Sequence, residues 1–318
     1  MNNTNKTSQE HKNGWFITRR FFLKVSALTT AGICTGLSPT KANFSKSIVK
    51  YRFGIVTDSH YADKINSDGK YYRESLSKMK ECVTLMNKEK VDFLIELGDL
   101  KDISQPVSEN ITLENLDAIE KVFKQFNGPR YHVLGNHDMD CISKEQFLAH
   151  IENTDIPKEK KFYSFERNGL HFIVLDANYT SEGLDYGRGN FEWADTNIPQ
   201  KEIDWLKKDI LSSEKPVIVF THQLLDGDFG PANINNAKKV RQFFENSGKV
   251  LAVFQGHMHK GRYRIINKIH YYTLKAMVSG EGKENNSYAI VNVYNDHINV
   301  TGYRKAVDKN IHMSIRDN

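Results

Sequence analysis

Five short β-rich runs in this sequence each end in a cluster of Asp, Asn or His. That repetition restricts the possible folds more than any other feature. The runs are Tyr51 to Thr57, Val91 to Leu97, Arg130 to Leu134, Pro216 to Phe220 and Val250 to Phe254. In the same order they lead into Asp58-Ser59-His60, Gly98-Asp99-Leu100-Lys101-Asp102, Gly135-Asn136-His137-Asp138, Thr221-His222 and Gly256-His257-Met258-His259. Between them lie segments with helical spacing. Leu76, Met79, Val83 and Met86 fall on one side of a helix predicted over Tyr71 to Lys90. Further helices are expected at about Leu113 to Phe126, Gln200 to Leu211 and Asn236 to Glu245. Strands alternating with helices imply βαβ units and a layered α/β fold, which places ligands just beyond the strand ends. Tyr163 to Asp176 reads as a hairpin turning at Asn168-Gly169. The tail from Gly261 to Tyr303 is strand-like, with turns at Asn267-Lys268, Gly280 to Asn286 and Asn295-Asp296, and implies a second packed sheet.

The polar clusters carry the chemistry. Five of the twelve histidines sit on them. A single His after a strand is most often a surface or hydrogen-bonded residue, and only the joint pattern is informative. Carboxylate, amide oxygen and imidazole form a mixed donor set suited to Mn, Fe or Zn, and less to Mg or Ca. No thiolate occupies a cluster, which argues against a structural zinc site. Two such cations about 3.5–4 Å apart can clamp both oxygens of an in-line displacement and lower the pKa of a shared water. Glycines beside the polar residues let the backbone turn sharply toward such a pair.

Taken together, these segments resemble the calcineurin-like metallophosphoesterase family, over nearly the whole chain after the N-terminal segment. The resemblance implies two mixed β-sheets flanked by helices, in a four-layer α/β/β/α sandwich with the metals at the strand ends. It implies Asp58, His60 and His259 on a first metal, Asn136, His222 and His257 on a second, and Asp99 bridging both. It implies that a metal-bridging hydroxide attacks a phosphodiester, phosphoanhydride or phosphomonoester. His137 would contact the scissile phosphate and protonate the leaving alkoxide. Asp138 would orient His137 through a hydrogen bond, and Asp102 would support the ligands from behind. Position 102 holds Asp where the purple acid phosphatases have a tyrosine ligand, so a purple iron enzyme is disfavoured. Phe53 to Asp58, Tyr71 to Leu76 and Tyr271 to Ala276 are similar to the Mn-dependent ADP-ribose/CDP-alcohol diphosphatases. That narrower likeness favours Mn and a nucleotide diphosphate substrate, with Arg73 a candidate phosphate contact against the plainer reading of a solvated surface charge. The segment Asn178 to Pro199 is long and without clear period. Its Tyr179, Tyr186, Phe191 and Trp193 either stack on a base, line a lid or cap the core. A metal-binding scaffold without catalysis is the alternative from another class, and the presence of every ligand and of His137 disfavours it.

The N-terminal segment accounts for the net charge of +5. Residues 1–42 contain Lys6, Lys12, Arg19, Arg20, Lys24 and Lys41 but only one acid, Glu10; without them basic and acidic residues are equal in number. Strong nucleic-acid binding is therefore not expected, which also disfavours a nuclease. Thr18-Arg19-Arg20-Phe21-Phe22-Leu23-Lys24 resembles the twin-arginine export consensus, and Thr40-Lys41-Ala42 offers a cleavage site. An ordinary basic tail or a Sec signal is the alternative. The expected organisation is a signal over 1–42, a linker over 43–50, the phosphoesterase domain over 51–305 and a tail over 306–318. The expected setting is periplasmic or otherwise extracytoplasmic, with the export machinery as partner and no membrane anchor in the mature chain. Cys82 and Cys141 are read as two unpaired buried thiols.

Overall fold

The computed structural model describes residues 50–313. The expected signal and nearly all of the linker lie outside the described residues. Two six-stranded mixed sheets form the centre. In the first, β1 (Tyr51–Val56), β2 (Phe93–Glu96) and β3 (Arg130–His132) run parallel. β10 (Ser287–Val293) pairs antiparallel with β1, and β11 (His297–Arg304) and β12 (Lys309–His312) follow by antiparallel steps. In the second, β5 (Leu170–Val174), β6 (Val217–Thr221), β7 (Val250–Gln255) and β9 (Ile269–Thr273) run parallel. Antiparallel β4 (Tyr163–Arg167) and β8 (Arg262–Ile266) close its two edges.

Side-chain alternation along these strands explains the layering. Phe53, Ile55, Phe93 and Ile95 of one sheet share a buried cluster with Ile218, Phe220, Ala252 and Phe254 of the other. Val56 and Leu94 point the opposite way, into a cluster with Met79, Val83 and Met86 of α1 (Ser75–Glu89) and Leu116 and Ile119 of α2 (Glu109–Phe123). Val217, Val219 and Val253 meet Ile203 and Leu206 of α4 (Gln200–Ser212) and Val240 and Phe244 of α5 (Ala237–Ser247). The result is the expected four-layer α/β/β/α sandwich. Phe53 lies near the centre of the inter-sheet contact, stacked on Phe93 at 4.9 Å and edge-on to Phe172, Phe220 and Phe254.

Several local expectations need correction. The strand-like tail does not make a sheet of its own: β8 and β9 complete the second sheet, while β10 to β12 complete the first. β12 continues that sheet past residue 305, so the expected tail begins too early. Ile311 is fully buried and holds the strand in place. α2 starts four residues before the expected Leu113, because Ser108 caps it by accepting from the Ile111 amide. A short helix, α3 (Lys144–His150), was not expected; Ser143 and Gln146 form a capping box at its start. The hairpin turn falls at Asn168-Gly169 as expected, with both residues at positive φ. Cys82 and Cys141 are free and buried.

Candidate metal centre

The five polar clusters converge at one end of the sandwich. Three follow β1, β2 and β3 of the first sheet, and two follow β6 and β7 of the second. Backbone bonds stitch the loops together: Asp58 N–H donates to the Gly98 carbonyl (3.0 Å), His60 N–H to Asp99 (2.8 Å) and Gly256 N–H to His222 (3.1 Å). Four of the expected ligand residues hold left-handed backbone conformations: Asp58 (φ 52°), His60 (φ 44°), Asp99 (φ 60°) and His257 (φ 66°). Such conformations cost energy in residues bearing a Cβ and gather at functional sites. Gly135 shows how tight the arrangement is, since a Cβ there would collide with the Asp99 amide and carboxylate.

Two donor groups result. Asp58, His60 and His259 form one, and Asp99, His222 and His257 the other, each with ligand atoms within 4.8 Å of one another; a third set within the same distance, His60, Asp102 and His137, overlaps the first through His60. Asp99 Oδ2 lies 3.4 Å from His60 Nε2 and 3.1 Å from His222 Nε2, so a single carboxylate oxygen reaches both groups. Asn136 Oδ1 stands 3.1 Å from His222 Nε2.

The donor atoms fit cations. His222 Nδ1 faces the Leu97 carbonyl at 2.8 Å, which fixes its proton there and turns the Nε2 lone pair inward. That lone pair meets the Asn136 oxygen, an acceptor facing an acceptor. His60 Nε2 and His259 Nε2 are 3.1 Å apart, and Asp58 Oδ1 is buried with no hydrogen-bond partner. A positive ion in each group satisfies these contacts, and oxygen with imidazole is the donor set of Mn, Fe or Zn. In the metal-free protein, protons take that role in part. Burial pushes the Asp58 carboxyl up, but the neighbouring His259 and His60 imidazoles overcome this and hold it well below the usual carboxylate range. Burial likewise opposes ionisation of Asp99, yet the imidazoles of His222, His60 and His137 keep it depressed. Burial pulls His222 down, but the Asp99 carboxylate wins and raises it to about 10. Burial and the neighbouring His222 charge lower His257 to about 3.

The supporting residues differ from expectation at one important point. Asp138 does not touch the His137 ring. Its carboxylate accepts from four backbone amides, those of Asp99 (3.0 Å), Leu100 (2.9 Å), Lys101 (3.3 Å) and Gly135 (2.8 Å), and so ties the second polar loop to the third. Asp102 does sit behind a ligand, with Oδ2 at 3.1 Å from His60 Nδ1. His137 donates its backbone N–H to Asp99 Oδ1 (2.7 Å). Its ring lines a cavity of about 440 Å³ together with Asp99, Asn136, Trp193, His257 and His259. Arg73 is not at this cavity: it is more than half exposed and pairs with Asp63.

The loop after β5 divides its labour. Tyr179 and Tyr186 are core residues, the latter donating its hydroxyl to the Glu192 and Asp195 carbonyls. Phe191 packs near His137 and Trp193 near His257, with ring centroids 5.6 and 6.1 Å away. Two residues near His137 were given no role by the sequence reading. Lys101, fully buried, pairs with Asp140, whose other oxygen lies 3.6 Å from His137 Nδ1. The available signal was the spacing of Asp140, three residues after His137.

Comparison with known proteins agrees with this geometry. Residues 51–261 match the model of the calcineurin-like phosphoesterase family. A manganese-dependent ADP-ribose/CDP-alcohol diphosphatase of Oryza sativa subsp. japonica is 25% identical, over 81% of this chain and 92% of its own length. Its Arabidopsis thaliana namesake is 23% identical over 79% of this chain and 94% of its own. The crystal structure of a dimetal phosphatase from Danio rerio superposes with a TM-score of 0.73 at 18% identity, covering 84% of this chain and all of the other, and so shares its fold. A family match over most of the sequence, on a fold whose strand ends gather two imidazole–carboxylate groups about one shared Asp, makes this chain a member of the calcineurin-like phosphoesterase family and a metal-dependent phosphoesterase.

Proposed function

We propose that the chain is a manganese-dependent diphosphatase that splits the phosphoanhydride of ADP-ribose- or CDP-alcohol-like molecules. The single observation carrying the two-metal reading is the position of Asp99 Oδ2 between His60 and His222. The nucleotide-diphosphate class rests on the names of the relatives, which this chain matches along nearly their full length. In this reading Asp58, His60 and His259 hold one cation, Asn136, His222 and His257 the other, and Asp99 both. Bound there, the cations supply positive charge at the phosphoryl oxygens and acidify water near neutral pH.

The protein's own groups do the rest. His60 and His222 are kept in one tautomer by Asp102 and the Leu97 carbonyl, so their Nε2 atoms face inward. His137 directs Nδ1 toward buried carboxylates, which leaves Nε2 as the nitrogen that meets substrate and gives a proton to the departing oxygen. Phe191 and Trp193 provide an aromatic wall on the same side.

The mature chain from residue 43, reconstituted with Mn, is expected to hydrolyse ADP-ribose and CDP-choline in preference to p-nitrophenyl phosphate. Asp99→Ala should abolish activity and metal retention. His137→Ala should retain the metal while losing about 10²–10⁴-fold in turnover. Metal-dependent turnover confined to simple monoesters would refute the diphosphatase assignment, and near-normal turnover in His137→Ala would refute the proton-donor role.

Because His222 is raised to about 10, it carries a proton across the neutral range that a metal must displace. Mn affinity should therefore fall as pH falls, by up to about tenfold per unit for each proton displaced. Calorimetry in two buffers of different ionisation enthalpy reads the released protons directly; an unchanged heat between them would contradict the proton count.

We further propose export by the twin-arginine route, supported by Arg19-Arg20-Phe21-Phe22-Leu23-Lys24 and the small residues flanking Lys41. Cell fractionation should find the wild-type chain outside the cytoplasm and the doubly substituted Arg19→Lys, Arg20→Lys chain inside. Equal export of both would reject this route.

A further inference from the structure

We propose that a cationic pocket one residue beyond His259, separate from the metal centre, binds a small phosphate-bearing anion. The pocket has a volume of about 200 Å³. It shares no lining residue with the metal cavity, although it begins at Lys260. Its walls come from both sheets. β8 and β9 supply one, with Tyr263 opposite Tyr272 in their register. The chain between β11 and β12, at Val307 and Asp308, supplies the other, together with Lys309 at the start of β12. The Tyr272 hydroxyl donates to the Val307 carbonyl (2.6 Å) and fixes one wall to the other.

The charge of this pocket is unbalanced. Lys260, Lys275 and Lys309 line it, and none of them forms an ion pair or donates a side-chain hydrogen bond to protein among the described residues. Arg262 also lines it, but its guanidinium is engaged by the fully buried Asp226. The one acid is Asp308, whose Oδ1 accepts from the Gly302 amide (2.8 Å). Three ammonium groups therefore stand against a single carboxylate. Lys275 and Lys309 are half-buried. Lys64, Lys161 and Lys249 are half-buried too, and each has a carboxylate beside it. A recess lined by one sign of charge concentrates ions of the other.

Two features hold the lysines in place. Gly261 has a left-handed backbone (φ 66°), and a Cβ there would stand 2.8 Å from Lys275 Cγ and 3.0 Å from the Thr273 carbonyl oxygen. The missing side chain at Gly261 is the room that the Lys275 stem occupies. The Lys309 ammonium lies over the face of Tyr263, 3.7 Å from the ring centroid, where the ring attracts it. The ligand chemistry follows from these groups. Lysine binds phosphate as a point charge through charge-assisted hydrogen bonds. The volume falls below the roughly 300–1,000 Å³ of pockets for drug-sized ligands, which suits a phosphate group with little attached to it and not a dinucleotide.

The test is equilibrium dialysis of the Mn-loaded mature chain against labelled inorganic phosphate, a probe that a phosphoesterase cannot consume. The wild type is compared with Lys275→Met combined with Lys309→Met, a change that keeps apolar stems and removes two charges. The wild type should bind one equivalent of phosphate that the double variant lacks or holds at least about tenfold more weakly, the scale of a lost hydrogen bond to a charged group. Mn content and melting temperature should not change. Each single substitution should give a smaller loss in the same direction, so the result does not depend on the folding of the double variant. The same difference should persist after the metal is stripped with a chelator, which separates this site from phosphate held by the metals. Equal stoichiometry and affinity in wild type and double variant would overturn the proposal. So would a difference that disappears with the metal.

Discussion

Asp99 can reach imidazoles from two different sheets only because the ends of those sheets are held at a fixed separation. His60 follows a strand of the first sheet and His222 a strand of the second, and Asp99 Oδ2 lies within 3.4 Å of both. The separation is set by the aromatic layer between the sheets, where Phe53, Phe93, Phe172, Phe220 and Phe254 interlock. Close-packed interiors of this kind deform little. The loops beyond the strands are then fastened to one another by backbone bonds and by the Asp138 carboxylate. Core packing, loop fastening and donor geometry form one chain of cause.

That arrangement opposes stability in the metal-free protein. Asp58 and Asp99 are buried acids, and four residues of the donor groups hold backbone angles that ordinary side chains avoid. Protonated imidazole offsets part of the charge, as the raised His222 shows. Cations offset it more completely, so metal binding and folding are coupled at this site. The His137 ring is supported separately from the two donor groups. His137 faces Asp102 and Asp140 rather than Asp58.

Much of this was legible in the sequence, and the limits have physical reasons. The strands with polar ends were visible because short β-rich apolar runs and a following Gly-Asp or Gly-Asn-His are local signals. The hairpin at Asn168-Gly169 was visible because that pair tolerates positive φ. The division of the C-terminal strands between two sheets was not, because pairing partners such as Val56 and Tyr288 are far apart in sequence. Nor was the role of Asp138. The resemblance implied a side-chain bond from Asp138 to His137, but the turn of the chain sends that carboxylate back to four amides and brings Asp140 round beside the ring. Arg73 was a candidate phosphate contact through the narrower resemblance, and the fold places it on the surface, paired with Asp63. Tyr179 and Tyr186 were indistinguishable from Phe191 and Trp193 in sequence, since burial is decided by the fold of the whole loop.

The central claim is that one carboxylate joins two metal sites. The direct measurement is electron paramagnetic resonance of the chain titrated with Mn²⁺, alongside metal analysis. The account predicts two Mn per chain and a spin-coupled pair spectrum in the wild type that is lost in Asp99→Asn. One Mn per chain, or two that give only isolated-ion spectra, would contradict it.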